Sequence, residues 1–440
     1  MKKIKHLPKL DGDLGWFETA ANKDQTVGRQ LKGDVYHDVV IVGAGFTGMS
    51  LAHRLHQLYP DKSIAVVDAL KVGQGTSGRN AGFIIDLPHN LDAGTPNVAH
   101  DLWLYRLNTF AINRLKAFKN EFAIECLWDE AGKYMAAHES SNLQGLADFM
   151  QILKTGSFEH EYLEGAALQK KLGTDYYQAA VYTPGNILMN PAALVRGIAK
   201  GLSQHVTIYE QTPIIAIDYG TPTRLYTVGG SIRADQVIHT TNAFTEEFGI
   251  VSRRLAPVFT YASLTNPLSA QQISEGFAGV RAWGLTSAHP AGTTVRLTPD
   301  HRILMRNSLD FLPQLSSTEA LRQVAWQQHK ASFAARFPAL GGVDFQYTWG
   351  GMLCMTLNHQ SVFQQISTNV YAVCGCNGVG VAKGTYLGHY MADYIAGIDS
   401  EALAFILSSS QPSWVPPEPF RSLGARYKLK QEAATAGGDI

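Results

Sequence analysis

Residues 38–48 read Asp-Val-Val-Ile-Val-Gly-Ala-Gly-Phe-Thr-Gly. The β-branched residues 39–42 are typical of a strand that is buried on both faces of a parallel sheet. After the glycine turn, apolar residues recur every three positions, which predicts one buried stripe of a helix that ends before Pro60. A second apolar run, residues 64–67, ends at Asp68. The chain therefore predicts a strand, helix and strand unit with a right-handed crossover.

The glycines of this stretch have the spacing G-x-G-x-x-G, between the predicted strand and the predicted helix. Gly43 permits the tight turn, Gly45 lets backbone approach a pyrophosphate, and Gly48 allows the helix to pack closely on the strand. The first N–H groups of the helix would then face the phosphates. Asp68, at the end of the second strand, is placed to accept hydrogen bonds from a ribose. The pattern predicts a dinucleotide site, and it leaves FAD and NAD both open.

The composition excludes several classes of protein. With 440 residues, 45% of them hydrophobic and 17% charged, the chain can build more than one packed core, so we expect two globular domains. Lys plus Arg and Asp plus Glu each number 37, so the net charge is zero and nucleic acid is not expected as a main partner. The four cysteines lack the spacing of a zinc site, and we predict reduced thiols and no metal.

The beginning of the sequence bears on location. Residues 1–17 are basic, but they reach Asp11 and Asp13 before an apolar run of signal-peptide length, which predicts a cytoplasmic protein. The longest apolar stretch, around residues 39–49, is interrupted by glycines and is shorter than the ~18 residues that span a bilayer. We therefore expect no membrane span.

Turn residues and changes of periodicity predict two interleaved domains. We expect an α/β nucleotide-binding domain from residues 35–100, 185–254 and 349–400, and a second domain, of α+β class on a largely antiparallel sheet, from residues 101–184 and 255–348. Residues 1–34 are predicted to form an arm over the surface, and the proline-rich residues 401–440 an extended tail. Within these pieces we predict helices near 102–118, 143–153, 191–201 and 318–337, and strands near 134–137, 205–209 and 236–241.

Residues 73–83 form a second glycine-rich loop, Gly-Gln-Gly-Thr-Ser-Gly-Arg-Asn-Ala-Gly-Phe, directly after the acidic residue. An NAD dehydrogenase has no need of such a loop. The run resembles the Gly-x-Gly-x-Ser-Gly-Arg-Asn-x-Gly loop of the D-amino acid oxidase-like FAD-dependent amine oxidoreductases. Within that family it is similar to the branch of γ-glutamylputrescine oxidoreductase and L-pipecolate oxidase. The resemblance implies that Ser77, Arg79, Asn80 and Gly82 contact the flavin diphosphate and ring edge, and that the nucleotide is FAD.

Three later segments follow the order of the same family. Residues 190–197 resemble its Asn-Pro-x-x-Leu-Val helix start, and residues 237–243 resemble a strand that passes beneath FAD. Residues 371–380 resemble a strand-to-helix turn whose N–H groups face the flavin, where they stabilise negative charge. The resemblance thus implies a Rossmann-like FAD-binding domain interleaved with the substrate domain. It implies that FAD is held by Gly43, Gly45, Phe46, Thr47, Gly48, Asp68, Ala69, Thr76, Ser77, Arg79, Asn80, Ala81, Gly82, Ile214, Thr241, Asn242, Gly351, Gly375, Asn377, Gly378, Val379 and Gly380.

The sequence also departs from the family pattern near the flavin. Met352 stands where a Trp-Gly-Gly-Arg stretch of the family has arginine, so one charge contact is missing. Cys354 lies three residues from the position at which sarcosine oxidases carry their covalent-flavin cysteine. We therefore predict dissociable, non-covalent FAD and a packed Cys354 thiol. Lys383 lies near the position of a lysine beside the flavin in sarcosine oxidases, and we predict a catalytic role for it.

Candidates for the substrate site come from the second domain. Pockets of the family often grip a carboxylate with an arginine and line the amine site with tyrosines. Arg296, Arg302 and Arg306 lie on strands that flank a turn near Asp300, and not all three can face the interior. From these we select Arg302, and from the tyrosines Tyr261. Three further candidates for the active site are Asp86, His89 and His289.

The resemblance implies a reaction as well as a cofactor. The expected chemistry is oxidation of the C–N bond of a small amine, amino acid or γ-glutamylated amine by hydride transfer to flavin N5, giving an imine that hydrolyses. The expected partners are that small molecule and an acceptor, either oxygen or a quinone or other electron carrier, with the chain as a monomer or small homo-oligomer. Two alternatives stay open, a flavin-binding partner or regulatory protein without turnover and a tRNA-modifying oxidoreductase.

Overall fold

The computed structural model describes residues 1–88 and 97–440. In these residues the strands β1 to β19 span, in chain order, Lys2–Lys3, Val35–Val42, Ile64–Val67, Phe83–Ile84, Lys133–Ala137, Glu161–Glu164, Ala179–Thr183, Ile187–Leu188, Thr207–Tyr209, Ile214–Asp218, Thr223–Thr227, Gly230–His239, Ala256–Thr265, Trp283–Ser287, Thr294–Leu297, Ile303–Phe311, Phe345–Met355, Val362–Ser367 and Val370–Cys374. The helices α1 to α12 span Gly15–Glu18, Phe46–Leu58, Thr76–Arg79, Val98–Glu121, Leu143–Thr155, Gly165–Leu172, Pro191–Leu202, Ala270–Gly276, Glu319–Arg336, Gly380–Ala396, Glu401–Ser408 and Phe420–Thr435.

The first sheet has a parallel centre. β2 pairs in parallel with β3 and with β12, β3 pairs in parallel with β9, and β12 pairs in parallel with β19. The antiparallel strands β1, β10 and β11 extend one side of this sheet, and β18 pairs with β19. Because parallel strands end at the same edge, the loops after β2, β3, β12 and β19 lie together.

The centre of this sheet is covered on both faces, as the β-branched run of β2 predicts. Ile41 belongs to a buried cluster with Met49 of α2 and Leu387 of α10. Val40 and Val42 belong to a second cluster on the opposite side of the strand, which includes residues of β12, β13 and β17. Helices α2 and α10 therefore cover one face of the first sheet, and strands of the second sheet pack on the other face.

The second sheet has the strand order β17-β13-β16-β15-β14-β5-β7-β6. All its pairings are antiparallel except that of β14 with β5. The predicted fold class, a Rossmann-like sheet interleaved with a largely antiparallel one, is confirmed. The predicted domain boundary at residue 349 falls inside β17, which pairs with β13 along its length. We propose to place the third nucleotide-domain piece after this strand.

The predicted internal helices and strands are present, with ends that differ by a few residues. Two predictions about the termini were wrong. The arm 1–34 does not merely cover the surface, since Leu14, Trp16 and Phe17 are buried against β13 and β17. The tail is extended only between α11 and α12, because Ser400 caps α11 through the N–H of Leu403 and residues 420–435 are free of proline. In the described parts of the chain, no helix is both long and apolar enough to cross a bilayer.

Candidate active site

A cavity of about 1220 Å³ lies where the loops after β2, β3, β12 and β19 meet the second sheet. Its walls include the glycine turn after β2, the glycine-rich loop 73–83 and the turn 376–379. β13, β16 and β17 of the second sheet form the opposite wall. A ligand in this cavity would therefore contact both sheets at once.

The first glycine turn is held to the neighbouring strands by hydrogen bonds. The N–H of Ala44 donates to Oδ2 of Asp68 at 2.8 Å, and the N–H of Leu70 donates to Oδ1 at 2.9 Å. Burial raises the pKa of Asp68. Gly43 has a φ of +111°, and a Cβ there would lie 2.9 Å from the carbonyl oxygen of Thr240. The turn and the acidic residue thus form one rigid unit, with acceptor capacity left on the carboxylate.

Two helices begin side by side at this cavity. α2 and α10 pack closely because two residues of α10, Gly384 and Gly388, have no side chain. A Cβ on Gly384 would lie 2.6 Å from Oγ1 of Thr47, and one on Gly388 would clash with the Thr47 carbonyl oxygen. Neither helix is capped by the side chain of its own N-cap residue, although the N–H of Phe46 at the start of α2 donates to Oγ of Ser77 at 3.1 Å. Their first-turn N–H groups therefore offer positive partial charge to the cavity.

Two tryptophans fix the backbone of the loop 73–83 from behind. Nε1 of Trp16 donates to the carbonyl oxygen of Asn80 at 2.9 Å, and Nε1 of Trp349 donates to that of Arg79 at 3.1 Å. The two rings meet edge to face, with centroids 6.4 Å apart. This contact joins the N-terminal arm, the loop and β17 into one wall of the cavity.

Two arginines add to this wall. Nη1 of Arg79 donates to the carbonyl oxygens of Asp11 at 2.9 Å and Gly350 at 2.8 Å. Nη1 of the fully buried Arg296 donates to the carbonyl oxygens of Gly82 at 3.0 Å and Met189 at 2.8 Å. Burial lowers the pKa of Arg79 to about 10 and that of Arg296 to about 9. Arg296 therefore positions the loop, and it does not line the cavity.

The turn after β19 is organised by two asparagines. Oδ1 of Asn242 accepts the N–H of Gly375 at 3.0 Å, and its Nδ2 donates to Sγ of Cys376 at 3.2 Å. Oδ1 of Asn377 accepts the N–H of Thr356 at 2.8 Å, and its Nδ2 donates to the carbonyl oxygen of His359 at 2.8 Å. These bonds fix the start of α10 against β12 and β17.

Most of the residues expected to hold the cofactor line this one cavity. The residues that line it are Gly43, Gly45, Phe46, Thr47, Asp68, Ala69, Thr76, Ser77, Arg79, Asn80, Ala81, Ile214, Thr241, Asn242, Gly351, Asn377, Gly378, Val379 and Gly380. Gly48, Gly82 and Gly375 do not line it. Each instead allows close packing behind the wall, and a Cβ on Gly82 would clash with Arg296.

The three predicted catalytic residues are not brought together. Tyr261 lines the cavity, and its hydroxyl is 2.7 Å from Oγ of Ser317. Lys383 lies behind the wall with Nζ 3.5 Å from the carbonyl oxygen of His359, and burial lowers its pKa to about 8. Arg302 lies outside the cavity.

Arg302 lies outside because it belongs to the turn before β16. Its Nη1 donates to the carbonyl oxygen of Thr265 at 2.8 Å and to Oε1 of Gln346 at 2.7 Å, and its Nε is 3.3 Å from Oδ2 of Asp300. The arginine of β16 that lines the cavity is Arg306.

The remaining candidates have different outcomes. His289 lines the cavity near α12, with Nε2 3.1 Å from Oγ1 of Thr435. Asp86 is buried outside the cavity lining, and burial raises its pKa. His89 falls outside the described residues.

The sequence did not reveal that both termini line the cavity. Ile4, His6, Leu7 and Pro8 of the arm contribute, as do seven positions of α12. The adjacent Trp16 and Phe17 were an available signal, since paired aromatic residues in an otherwise polar arm indicate burial.

The cavity walls fit FAD. The starts of α2 and α10 suit a diphosphate, and the carboxylate of Asp68 suits a ribose. Nη2 of Arg79 is buried with no hydrogen-bond partner among the described residues, in a side chain that lines the cavity. A Cβ on Gly45 would lie 2.5 Å from Oγ of Ser77, so the narrow gap between the two glycine loops stays open only for glycine.

The thiol nearest in sequence to the covalent-flavin position of sarcosine oxidases is that of Cys354, and it is not exposed. Cys354 is fully buried, and burial raises its pKa well above the usual range. Cys376 lines the cavity and accepts its hydrogen bond from Asn242. Met352 also lines the cavity, where it contributes apolar surface.

Comparisons with known proteins agree with this geometry. The chain is 27% identical over 394 residues to "Probable oxidoreductase OrdL" of Haemophilus influenzae, covering 86% of each chain. It is 24% identical over 410 residues to γ-glutamylputrescine oxidoreductase of Escherichia coli, covering 89% of this chain and 91% of that one. Its fold matches glycine oxidase of Geobacillus kaustophilus with a TM-score of 0.69 at 16% identity, covering 83% of this chain and 96% of that one.

The match to a protein family covers most of the sequence. A profile of the family described as FAD dependent oxidoreductase matches residues 38–394. This range includes both glycine loops, the turn after β19 and all of the second sheet. The resemblance stated from the loop 73–83 is thereby confirmed, and the chain belongs to the FAD dependent oxidoreductase family.

Proposed function

We propose that the chain oxidises the C–N bond of a small amine or amino acid whose substrate form carries a carboxylate. The observation that carries this proposal is Arg306, a mostly buried cation that lines the cavity on β16. Among the described residues it has no hydrogen-bond or ion-pair partner. An isolated buried charge is costly, so a ligand anion is the natural partner for it.

The surroundings of Arg306 support an anion site. Burial lowers its pKa to about 10, so the guanidinium is still charged at neutral pH. Thr294 of β15 is the cross-strand partner of Arg306. Thr294 and Tyr261 of β13 line the same cavity. The neighbouring His329 is neutral because burial and Arg306 lower its pKa to about 3. A planar guanidinium in this position suits two-pronged binding of a carboxylate.

The chain's own residues would orient the substrate and exclude water. Arg306 holds the carboxylate, and the apolar walls around Met352 and Leu353 keep the reacting C–N bond dry. When bound, FAD supplies the acceptor for a hydride at N5. The N–H groups at the start of α10 would stabilise negative charge on the reduced flavin without any change in the protonation of a side chain. The expected product is an imine, which water hydrolyses to a carbonyl compound and an amine or ammonia.

Amino acids and γ-glutamylated amines both satisfy the carboxylate requirement. The E. coli relative is named for a γ-glutamylated amine, and the Geobacillus protein for glycine. We keep both classes as candidate substrates, with oxygen or a quinone or other carrier as acceptor. A cytoplasmic location and a monomer or small homo-oligomer remain part of this proposal.

The test is an anaerobic screen of the purified flavoprotein. Pairs of compounds that differ only in the carboxyl group are added, and the visible absorbance band of the oxidised flavin is followed. We expect bleaching by a carboxylated amine and little by its decarboxylated partner, with a carbonyl product trapped by a hydrazine. A flavin that no amine bleaches, or one that decarboxylated amines bleach equally, contradicts the proposal.

A further inference from the structure

α12 lies across the mouth of the cavity and is attached by one side only. Arg421 ion-pairs with Glu246 at 3.3 Å and donates to the carbonyl oxygen of Leu255 at 3.2 Å. Ala425 and Leu429 line the cavity on the same side of the helix. None of the residues of α12 is buried. The opposite side of the helix is therefore uncovered in the described structure.

That uncovered side is apolar and aromatic. Phe420, Leu423 and Tyr427 are 67%, 63% and 71% exposed, and their spacing places them on one face of the helix. Trp414, in the segment before α12, is 49% exposed, and Leu357 is 66% exposed. We call these five residues the mouth patch.

The mouth patch comes from two segments that are tied together at the cavity opening. Nδ2 of Asn358 donates to the carbonyl oxygen of Gln411 at 2.9 Å, and its Oδ1 accepts the N–H of Ser413 at 3.0 Å. Leu357 and Phe420 both line the cavity. Clustered exposed apolar residues mark a binding surface far more often than single ones do.

The exposed charges on the uncovered side of α12 are positive. Arg426 and Lys430 are exposed, and neither forms an ion pair among the described residues, although the charge of Arg426 partly offsets the burial that raises the pKa of Asp310. The guanidinium of Arg253 lies 5.9 Å from the ring centroid of Trp414. The acidic side chains of the segment are already paired, Glu418 with Arg421 at 2.9 Å and Glu432 with Lys428 at 2.7 Å.

We propose that the mouth patch is a docking surface for a lipid bilayer that contains anionic lipids. Aromatic rings and cations on one face of a helix are the combination that binds the interface of such a bilayer. A second copy of the chain fits less well, because a symmetric contact would bring Arg426 and Lys430 of both copies together. Docking in this way turns the cavity mouth toward the lipid, and it does not depend on which amine is oxidised.

The experiment uses the full-length flavoprotein and extruded vesicles. Vesicles of phosphatidylcholine with about one third phosphatidylglycerol are compared with pure phosphatidylcholine by co-sedimentation at low salt. We expect binding to the anionic vesicles only. The test variant combines Trp414→Ser, Leu423→Ser and Tyr427→Ser, and the matched control combines Val228→Ser and Val324→Ser, two exposed apolar positions elsewhere.

The three test positions do not line the cavity, so flavin absorbance should match that of the parent. We expect the test variant to lose at least tenfold in vesicle affinity and the control variant to bind like the parent. A second variant, Arg426→Glu with Lys430→Glu, should lose binding to anionic vesicles without losing flavin.

Three results would overturn the proposal. The first is a parent protein that stays in the supernatant with anionic vesicles. The second is a serine variant that sediments as the parent does. The third is self-association, or binding to a purified protein partner, that the serine variant abolishes while neither protein binds vesicles.

Discussion

Replacing Arg306 with methionine separates substrate binding from folding. Arg306 lines the cavity and has no protein partner among the described residues, so its removal breaks no internal hydrogen bond. A hydrogen bond to a charged group contributes about 1.5–3 kcal/mol, and a two-pronged contact to a carboxylate more. We therefore expect kcat/KM for a carboxylated substrate to fall by roughly 10²–10³-fold, since 1.36 kcal/mol is a factor of ten.

The same change should stabilise the protein when no substrate is present. Burial lowers the pKa of Arg306 from its ordinary value to about 10, which at 1.36 kcal/mol per pKa unit is an upper bound of roughly 3 kcal/mol against the charged form. The folded state binds the proton less tightly than the unfolded state, so this penalty is fully present below pH 10 and lessens above it. At pH 7 we expect Arg306→Met to raise the free energy of unfolding by about 1–3 kcal/mol.

The matched control is Arg302→Met, on the turn before the same strand. Arg302 donates to Thr265 and Gln346, so this variant should lose about 1–2 kcal/mol of stability and keep the preference for carboxylated substrates. Urea unfolding and steady-state rates on carboxylated and decarboxylated pairs measure the two effects. The reasoning fails if Arg306→Met keeps the carboxylate preference, or if it is less stable than the parent.

Three further changes test the cofactor site. Gly45→Val should abolish bound FAD because its Cβ would lie 2.5 Å from Oγ of Ser77. The control variant Gly341→Ala, whose Cβ meets nothing within 4 Å, should purify with bound yellow flavin. Full flavin absorbance in the valine variant contradicts the assignment of the glycine turn. Cys354→Ser should leave acid-released flavin unchanged, and flavin that stays on the parent polypeptide in acid would refute non-covalent binding. Lys383 has its pKa lowered to about 8, so Lys383→Met should be more stable than the parent at pH 7, with a difference that shrinks as pH rises from 8 to 10.5; a constant difference would show that the lysine is not desolvated.

Local patterns predicted the nucleotide-binding half well. The run 39–42, the glycine turn and Asp68 lie within thirty residues of the sequence, so spacing alone predicts their arrangement. The loop 73–83 follows directly, and its resemblance to a known family extended the prediction to distant segments. In this half, the physical constraint is local and the sequence displays it.

The substrate side depended on contacts that spacing does not report. Arg302 and Arg306 are both arginines near one turn, and only the register of β16 against β13 and β15 decides which one lines the cavity. The polar composition of residues 1–34 predicts a surface arm, although Trp16 is buried against Trp349, more than three hundred positions away. The prolines of residues 412–419 predict an extended tail, but residues 420–435 contain no proline and form α12. The errors on the arginines and on the arm concern packing between distant segments, whereas the error on α12 is local.

The parallel centre of the first sheet has a consequence for synthesis. β2 pairs with β12, and β12 pairs with β19. The cavity beside the first glycine turn is therefore complete only after the chain has been synthesised as far as Gly380. Pairings this distant form slowly, and an incomplete chain exposes apolar strand edges to aggregation and proteases. Bound FAD, seen as yellow colour, would then indicate a completed polypeptide. Because FAD stabilises the folded state, the supply of its precursor riboflavin would influence how many newly made chains escape degradation.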